Sequence, residues 1–399
     1  MHAAGEFAFV RFGAAGAAGF AFVDAAAGFA FKSGHGVYDA TFGPGFGSGC
    51  LSFSYTLRMS TDRRDFLKLS SISALAAPWA AAHAGSAPNA SAMAHAVPDA
   101  VPPTPFPRLA MIIVHFTPQK VAFAAETGYQ GVLVHIDNQH FNPDTITDRQ
   151  IAQMQRAARE AACPIISLEC MWGCNHIDAN PVKRRRQQAR FIRGMHIAHE
   201  LGCKFLGTFS GGMKGATGER QARELAEVFN EKYLPLCEKL DLNIGWENYP
   251  CSINFAISPG LWKAVFDRVP SLRLGLEFDP SHLVRQFIDP YAAAWEFKDR
   301  IHSAHAKDTE ITQPILQNTG ILGEGWWRYR IPGQGLMDWP RFITVLLHAR
   351  YNGALAVEQE DPFWNSPKAP VNPVFPVARA DGFRLAQRYL SMFLPGRLG

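Results

Sequence analysis

The chain reads Asn243-Ile-Gly-Trp-Glu247-Asn-Tyr-Pro250 near its middle, a short apolar strand pattern that ends in an acid. If strands of this kind lie in one parallel barrel, their terminal side chains converge, because the carboxyl ends of barrel strands face a common pocket. Three similar segments follow toward the C-terminus, and each carries an acid or a histidine at the end of an apolar run: Leu276-Glu-Phe-Asp279-Pro-Ser-His282, His305-Ala-Lys307-Asp308 and Val357-Glu358-Gln-Glu-Asp361.

Short apolar runs alternate with helix-like segments from residue 108 onward. Strict alternation of this kind favours a parallel sheet covered by helices. Eight such units in about 290 residues have the size of a (β/α)8 barrel, the α/β fold known as the TIM barrel. The predicted strands are 109–115, 131–136, 164–169, 205–209, 243–247, 273–279, 301–305 and 354–358.

The stretches between these strands are amphipathic, with apolar residues three to four positions apart. An open doubly wound sheet is the alternative architecture. It would usually show a glycine-rich first crossover, and the turn Phe116-Thr-Pro-Gln offers none. The predicted helices include 148–162, 184–201, 219–240, 338–351 and, closing the ring, 378–393.

Four candidate metal ligands end the fifth to eighth predicted strands, which makes them neighbours around the rim of a barrel. A lone acid at the end of a strand is more often a helix cap or half of an ion pair. Four ligand-type residues on consecutive strands favour a metal. Three carboxylates and one imidazole suit one divalent ion, Mn, Mg, Co or Zn, and do not single one out. The four residues are Glu247, Asp279, His305 and Glu358.

Residues 108–395 resemble the xylose-isomerase-like TIM-barrel superfamily of sugar isomerases and epimerases. The resemblance implies that the four residues bind the metal and that Glu247 and Glu358 double as the acid/base pair. It also implies that His282 orients a substrate hydroxyl, as its counterpart does in the ketose 3-epimerases. The matching motifs are Trp246-Glu247-Asn248, Phe278-Asp279-Pro-Ser-His282, His305-Ala-Lys307-Asp308, Pro332-Gly-Gln-Gly335-x-x-Asp338-Trp339 and Val357-Glu358-Gln-Glu-Asp361.

The chemistry of such a site agrees with these roles. A divalent cation that holds a carbonyl and an adjacent hydroxyl acidifies the C–H between them and stabilises the enediolate. One carboxylate removes the proton and a second returns one on the opposite face, and two carboxylates beside a cation can differ in protonation. Glu247 and Glu358, three strands apart, can face each other in this way.

Several other residues are candidates for substrate contact. Lys307 is expected to reach a substrate oxygen or to form an ion pair with Asp308. His135 and Glu169 end the second and third strands, and each contacts the substrate or hydrogen bonds to a ligand residue. Glu360 alternates to the side of Glu358 but could instead cap the last helix. Segment 309–335 is the candidate lid, and the aromatic surfaces on which a sugar could stack are Trp172, Trp246, Trp326 and Trp327.

We therefore expect an enzyme, a metal-dependent sugar isomerase or epimerase that acts through an enediolate on a keto-sugar or an oxidised glycoside. The same enediolate could expel a glycosidic oxygen, which would give a lyase or hydrolase-like activity on 3-keto-glycosides. A phosphodiesterase resembling endonuclease IV shares the barrel, but it needs a trinuclear zinc site with an Asp-x-His pair, and none follows His305. An intact ligand set argues against a non-catalytic carbohydrate-binding barrel.

Composition and charge limit the kinds of molecule that the protein is expected to bind. Hydrophobic residues make up 47% of the 399 residues and charged residues 19%, as in a well-packed globular protein. The net charge of +4 is too small to indicate a nucleic-acid surface, and the basic run 183–186 is interpreted as a solvated helix face. No apolar stretch reaches about 18 residues, so stable membrane insertion is not expected. A small carbohydrate is the expected partner, and assembly into a homo-oligomer is left open.

The cysteines show no CxxC pair and no small-domain disulfide framework. Cys163 and Cys203 are expected to be small core residues. Cys170 and Cys174 are close in sequence and could pair in an oxidising compartment.

The N-terminal region differs in composition from the rest. Residues 1–58 are rich in Ala, Gly and Phe, without a helical period or a turn-bounded strand pattern, and are interpreted as a start-site artefact before Met59 or as a disordered extension. Residues 59–84 have the Arg63-Arg64 pair, short apolar run and small-residue cleavage site of a twin-arginine signal peptide. Residues 85–107 read as a flexible linker. We expect the export machinery to deliver a folded, metal-loaded protein to the periplasm.

Overall fold

The computed structural model describes residues 106–137, 141–364 and 374–394, together with the backbone of residues 29–33 and 36–40. The chain divides into two units, Met1–His95 and Ala96–Gly399. The predicted signal peptide and the linker lie outside the described residues, apart from the last two linker positions.

One antiparallel strand pair lies in the first unit, where we expected no strand pattern. Phe29–Ser33 pairs with Gly36–Ala40. The aromatic content of the first strand agrees with its pairing, because aromatic residues have high β-propensity.

Eight parallel strands close into a barrel in the second unit. The last of these strands pairs with the first, with Leu355 opposite Leu109. The predicted (β/α)8 barrel is therefore confirmed, and the open sheet is excluded because an open sheet leaves two edges unpaired. Strands β1 to β8 are Arg108–Ile113, Gly131–His135, Ile165–Glu169, Phe205–Thr208, Asn243–Glu247, Leu274–Phe278, Ile301–Ala306 and Ala354–Val357.

Helices follow the strands, and many begin at a polar cap. Thr117, Asn180, Asp279 and Asp289 each accept a backbone N–H with the side chain and are followed by proline at the first helical position. Helices α1 to α11 are Pro118–Thr127, Asp148–Glu160, Pro181–Glu200, Gly218–Val228, Leu234–Leu240, Pro259–Phe266, Pro280–Val284, Pro290–Glu296, Gln313–Thr319, Trp339–His348 and Val377–Ser391.

The single helix predicted over 219–240 is interrupted. A π-helical turn, Phe229–Tyr233, separates α4 from α5. Pro235 explains the interruption, because proline has no N–H to donate to the preceding turn and its ring crowds the carbonyl four residues earlier. A short 3-10 turn, Lys298–Arg300, precedes β7.

The core has two layers, set by the alternation of strand side chains. Outward-facing residues such as Met111 and Trp246 pack under the helices. Buried Cys163 and Cys203 lie in this layer as predicted, while the thiols of Cys170 and Cys174 remain free, with their sulfur atoms 3.4 Å apart. The inward-facing apolar layer near the strand starts comprises Ala110, Ile112, Leu133, Ile166, Ala354 and Ala356.

An extension between β7 and β8, which we call the arm (residues 308–330), occupies most of the predicted lid. Strand Asp308–Ile311 pairs antiparallel with Trp327–Arg330, and α9 lies between them in sequence. Buried Asp308 anchors its base: its carboxylate accepts from the backbone N–H of Gly333 and Met337 and from Nε1 of Trp339. Among the helices of the described ranges, none combines the length and apolar character of a membrane span.

Candidate metal centre and active site

The four predicted ligands come together at the rim. Glu247 ends β5, Asp279 follows β6, His305 lies in β7 and Glu358 follows β8. One potential ligand atom from each lies within 4.8 Å of all the others. Nδ1 of His305 is 3.2 Å from Oε1 of Glu247, 3.1 Å from Oε2 of Glu358 and 3.6 Å from Oδ2 of Asp279.

These residues fit a divalent cation. Oδ2 of Asp279 and Nδ1 of His305 are buried and face the same point, and neither makes a hydrogen bond of good geometry within the described chain, although Nζ of Lys307 forms an ion pair with Oδ2. A buried polar atom that lacks a hydrogen bond is costly, and a cation would satisfy both atoms. Metal–ligand bonds of about 2.1 Å place neighbouring ligand atoms about 3.0–3.4 Å apart, close to the separations around His305.

The two carboxylate oxygens of Asp279 have different surroundings. Oδ1 accepts the N–H of Ser281 at 2.8 Å and caps α7, which leaves Oδ2 directed at the cluster. The side-chain amide of Asn248 clamps the same position, because it accepts from Asp279 N at 2.9 Å and donates to Asp279 O at 2.8 Å. The helix cap and the amide clamp therefore fix the orientation of this ligand.

The opposite edge of His305 contacts two carboxyl groups inside the barrel. Its Nε2 lies 3.0 Å from Oε1 of Glu169 and 3.4 Å from Oε1 of Glu277. Burial, and after it the charge of the neighbouring Glu169, raise the pKa of Glu277 to about 8. Burial also raises the pKa of Glu169, but His135 and His305 outweigh it and lower that pKa to about 2. One carboxylate and one neutral carboxyl therefore support the ligand imidazole.

Glu169 and His135 are buried and lie in contact with each other at the rim. Nε2 of His135 is 2.5 Å from Oε2 of Glu169, and Nδ1 is 3.5 Å from Oδ1 of Asp137. Glu169 is 1% exposed and offers a substrate almost no surface. Glu169 contacts the candidate ligand His305, the alternative that the sequence left open, whereas substrate contact by His135 remains a prediction.

His282 lies between the catalytic candidate Glu247 and the arm. Its Nε2 is 3.0 Å from Oε1 of Glu247 and 3.2 Å from Oδ2 of Asp279, and its Nδ1 is 2.8 Å from the hydroxyl of Tyr329. Burial raises the pKa of Glu247, but His282 and His305 lower it to about 2. Glu247 is therefore ionised, and His282 holds one of its oxygens.

Lys307 is almost fully buried among carboxylates. Its Nζ is 2.6 Å from Oε2 of Glu358, 3.0 Å from Oε2 of Glu360 and 3.1 Å from Oδ2 of Asp279. Burial raises the pKa of Glu358, but Lys307 outweighs burial and lowers it. The alternative ion pair between Lys307 and Asp308 does not form, because Asp308 is engaged at the base of the arm. Glu360 faces the side of Glu358, as its alternation predicted.

The predicted contact of Trp246 with a substrate is wrong. Its side chain is fully buried and stacks on Phe266, with ring centroids 5.2 Å apart. Adjacent residues of a strand point to opposite faces, so Glu247 at the rim places Trp246 under the helices. Trp172 is 49% exposed and keeps a surface on which a ring can stack. On the arm, Trp326 is buried and Trp327 is partly buried.

The sequence reasoning missed two residues, Glu277 and Tyr329. Glu277 had a signal, since it lies two residues before Asp279 and therefore on the same inward face of β6. Gly207 on β4 leaves the space that the Glu277 side chain occupies, because a Cβ at position 207 would overlap Oε2 of Glu277. Tyr329 had no local signal, because its contact with His282 depends on the pairing of the two arm strands.

The curated relative found for this chain is an uncharacterized protein, YfiH, of Bacillus subtilis (strain 168), 34% identical over 98 residues. The alignment spans 22% of this chain and 31% of that protein, so the chain matches about a third of its relative's length.

Similar solved structures include sugar epimerases and a dehydratase. A xylose isomerase domain protein from Planctomyces limnophilus is 17% identical and has a TM-score of 0.56, with 72% of this chain and 98% of that chain covered. A 3-keto-D-glucoside 4-epimerase from E. coli is 12% identical and has a TM-score of 0.53, with 72% of this chain and 99% of that chain covered. At such identities the likeness establishes the fold alone.

The family of the chain is shown by a match to a family model, independently of the similar structures. Residues 121–376, well over half of the chain, match the family described as xylose isomerase-like TIM barrel. That range contains all four candidate ligands, the arm and seven of the eight barrel strands. The chain belongs to the xylose isomerase-like TIM barrel family.

Proposed function

We propose that the chain is a metal-dependent sugar isomerase or epimerase that moves a proton at a carbon beside the carbonyl of a keto-sugar or an oxidised glycoside. The observation that carries the proposal is the convergence of Glu247, Asp279, His305 and Glu358 on one point, where Oδ2 of Asp279 and Nδ1 of His305 are buried without a hydrogen bond. The sugar epimerases among the structural neighbours favour a carbohydrate substrate.

The metal would be held by these four residues, with Mn, Mg, Co and Zn all compatible with the donor set. When bound, a divalent cation polarises the carbonyl and lowers the pKa of the adjacent C–H, which stabilises the enediolate. His305 would bind through Nδ1, because its Nε2 faces Glu169.

Glu247 and Glu358 are proposed as the acid/base pair, because they lie on two sides of His305 and have different partners. His282 holds Oε1 of Glu247, which leaves its second oxygen to accept a substrate proton. The Nζ of Lys307 contacts Oε2 of Glu358 and holds that oxygen. Unequal partners allow the two carboxylates to take different roles in the proposed proton transfer.

Metal analysis of the purified protein, followed by NMR detection of solvent deuterium entering candidate keto-sugars, tests the proposal. We expect about one divalent ion per chain and exchange at the carbon beside the carbonyl. A protein that neither retains metal nor exchanges deuterium, across free and glycosidic keto-sugars, would contradict the proposal.

Glu358→Gln tests the acid/base assignment. It should abolish exchange while leaving the folded structure unchanged, because glutamine keeps the shape but cannot carry the proton. Glu296→Gln, at an exposed position on α8, is the matched control and should exchange at the wild-type rate. Exchange retained in Glu358→Gln would remove Glu358 from this role.

The same assay separates the alternatives. Cleavage of a 3-keto-glycoside, with the aglycone released after exchange, would identify the lyase-type reaction. Among the described residues, the two candidate metal groups share His305, so the separate third zinc site of an endonuclease IV-like enzyme has no counterpart there.

Export is a further part of the proposal. The Arg63-Arg64 pair would direct the folded, metal-loaded protein through the twin-arginine route to the periplasm. Replacement of both arginines by lysine should retain the protein in the cytoplasm in a cell-fractionation experiment. Unchanged periplasmic accumulation of this variant would rule out the route.

A further inference from the structure

A row of hydrogen bonds connects the arm to the proposed catalytic glutamate. Nη1 of Arg285 donates to the hydroxyl of Tyr329 at 2.8 Å, and this hydroxyl is 2.8 Å from Nδ1 of His282. Nε2 of the same imidazole is 3.0 Å from Oε1 of Glu247. The row therefore runs from Glu247 at the end of β5, through His282 on α7, to Tyr329 on the arm, and ends at Arg285, the residue after α7.

The direction of the row follows from what each group can donate. A guanidinium has only donors, so the oxygen of Tyr329 accepts from Arg285. Burial raises the pKa of Tyr329 above its ordinary value, and the phenol keeps its own proton. Of the two groups that contact this hydroxyl in the described chain, only Nδ1 of His282 can accept. A phenol proton directed elsewhere would lose its partner, which buried polar groups rarely do.

We propose that Tyr329 is a positioning residue that fixes the tautomer of His282. The phenol donates to Nδ1, so the imidazole proton resides on Nε2 and is donated to Oε1 of Glu247. In the other tautomer, Nδ1–H would oppose the phenol proton and a lone pair on Nε2 would face the carboxylate. The consequence for catalysis rests on the proposed function of Glu247, whereas the tautomer itself does not.

The placement of Tyr329 depends on the arm being closed over the rim. The guanidinium of Arg285 lies over the ring of Trp327 at 3.9 Å, and Nζ of Lys307 lies over the ring of Tyr329 at 4.4 Å. Both cations hold the arm strand Trp327–Arg330 against the site. The protonation pattern of His282 therefore reports whether the arm is in place, although His282 itself belongs to the barrel.

Long-range proton–nitrogen NMR of the 15N-histidine-labelled full chain, loaded with Mg, tests the proposal. The His282 signals are assigned by their loss in His282→Asn. The wild type should show a protonated Nε2 and an unprotonated Nδ1. In Tyr329→Phe this pattern should give way to a mixture of tautomers. Tyr249→Phe is the matched control, since its ring also contacts His282, with centroids 5.0 Å apart, and the variant should keep the wild-type pattern.

Kinetics give a second readout. Tyr329→Phe should lower kcat for exchange by about fivefold to tenfold, the size that one hydrogen bond supports, and leave KM unchanged. A wild-type His282 protonated on Nδ1 or on both nitrogens overturns the proposal, as does an unchanged pattern in Tyr329→Phe. If the wild type exchanges no sugar proton, the proposed function fails, yet the NMR pattern still decides the tautomer.

Discussion

Oε1 of Glu169 lies 3.0 Å from Nε2 of His305, on the edge of the imidazole that faces away from the other metal ligands. A carboxylate in this position accepts the Nε2 proton and leaves the Nδ1 lone pair directed at the metal position. Histidine ligands in metalloproteins are commonly oriented in this way, and loss of the outer partner weakens metal binding.

Glu169→Gln should therefore lower the affinity for Zn or Mn by about 10–100-fold without unfolding the protein. Isothermal titration calorimetry of the metal-free protein measures the change. Glu160→Gln is the control, because Glu160 is an exposed acid at the end of α2. Equal affinities of wild type and Glu169→Gln would show that the contact does not orient the ligand.

Removal of the metal should lower thermal stability, because a ligand that binds only the folded state stabilises it. A metal at 100 times its Kd stabilises the folded state by about 2.7 kcal/mol. Chelation should therefore lower the Tm in differential scanning calorimetry, and added metal should restore it. Asp279→Asn should show a much smaller response, and an equal response in that variant would place the metal elsewhere.

The alternation of strands and helices was enough to predict the barrel and the convergence of the four candidate ligands at its rim. Strand ends were predictable because each apolar run stops at a polar residue, and the carboxyl ends of parallel strands share one rim. Period-two alternation, applied strictly, would also have identified Glu277 as inward-facing and rejected Trp246. For both Glu277 and Trp246, the neighbouring residues of the same strand were enough to give the direction of the side chain. The error lay in treating Glu247 and Trp246 as if they faced the same side.

The contacts of the arm could not be predicted in the same way. The two arm strands are separated by α9 and a loop, and their pairing is set by tertiary packing. The contact of Tyr329 with His282 joins residues 47 positions apart, and no spacing rule indicates it. The division of the predicted 219–240 helix depended on Pro235 and was visible in the sequence.

Gly207→Ala tests the space reserved for Glu277 inside the barrel. The added methyl group would lie 1.9 Å from Oε2 of Glu277, so overpacking should lower the free energy of unfolding by about 1–3 kcal/mol. In a Glu277→Ala background the same substitution should have a much smaller effect. Urea denaturation of the four proteins gives the coupling energy, and simple additivity would show that the two positions do not compete.

Two tryptophans should respond differently to truncation. Trp246→Ala removes a fully buried ring and should lower the free energy of unfolding by about 3–5 kcal/mol. Trp172→Ala leaves the core intact but removes an exposed stacking surface worth about 0.5–1.5 kcal/mol, so KM should rise by roughly twofold to tenfold. Chemical denaturation and steady-state kinetics separate the outcomes, and a stability loss in Trp172→Ala without a change in KM would contradict the assignment.

The two-sided environment of His305 links this position to the two acids that lie beneath it. Loss of the imidazole alone would remove the group that Glu169 and Glu277 both contact inside the barrel. A substitution at position 305 is therefore expected to be tolerated best when position 169 or 277 changes with it.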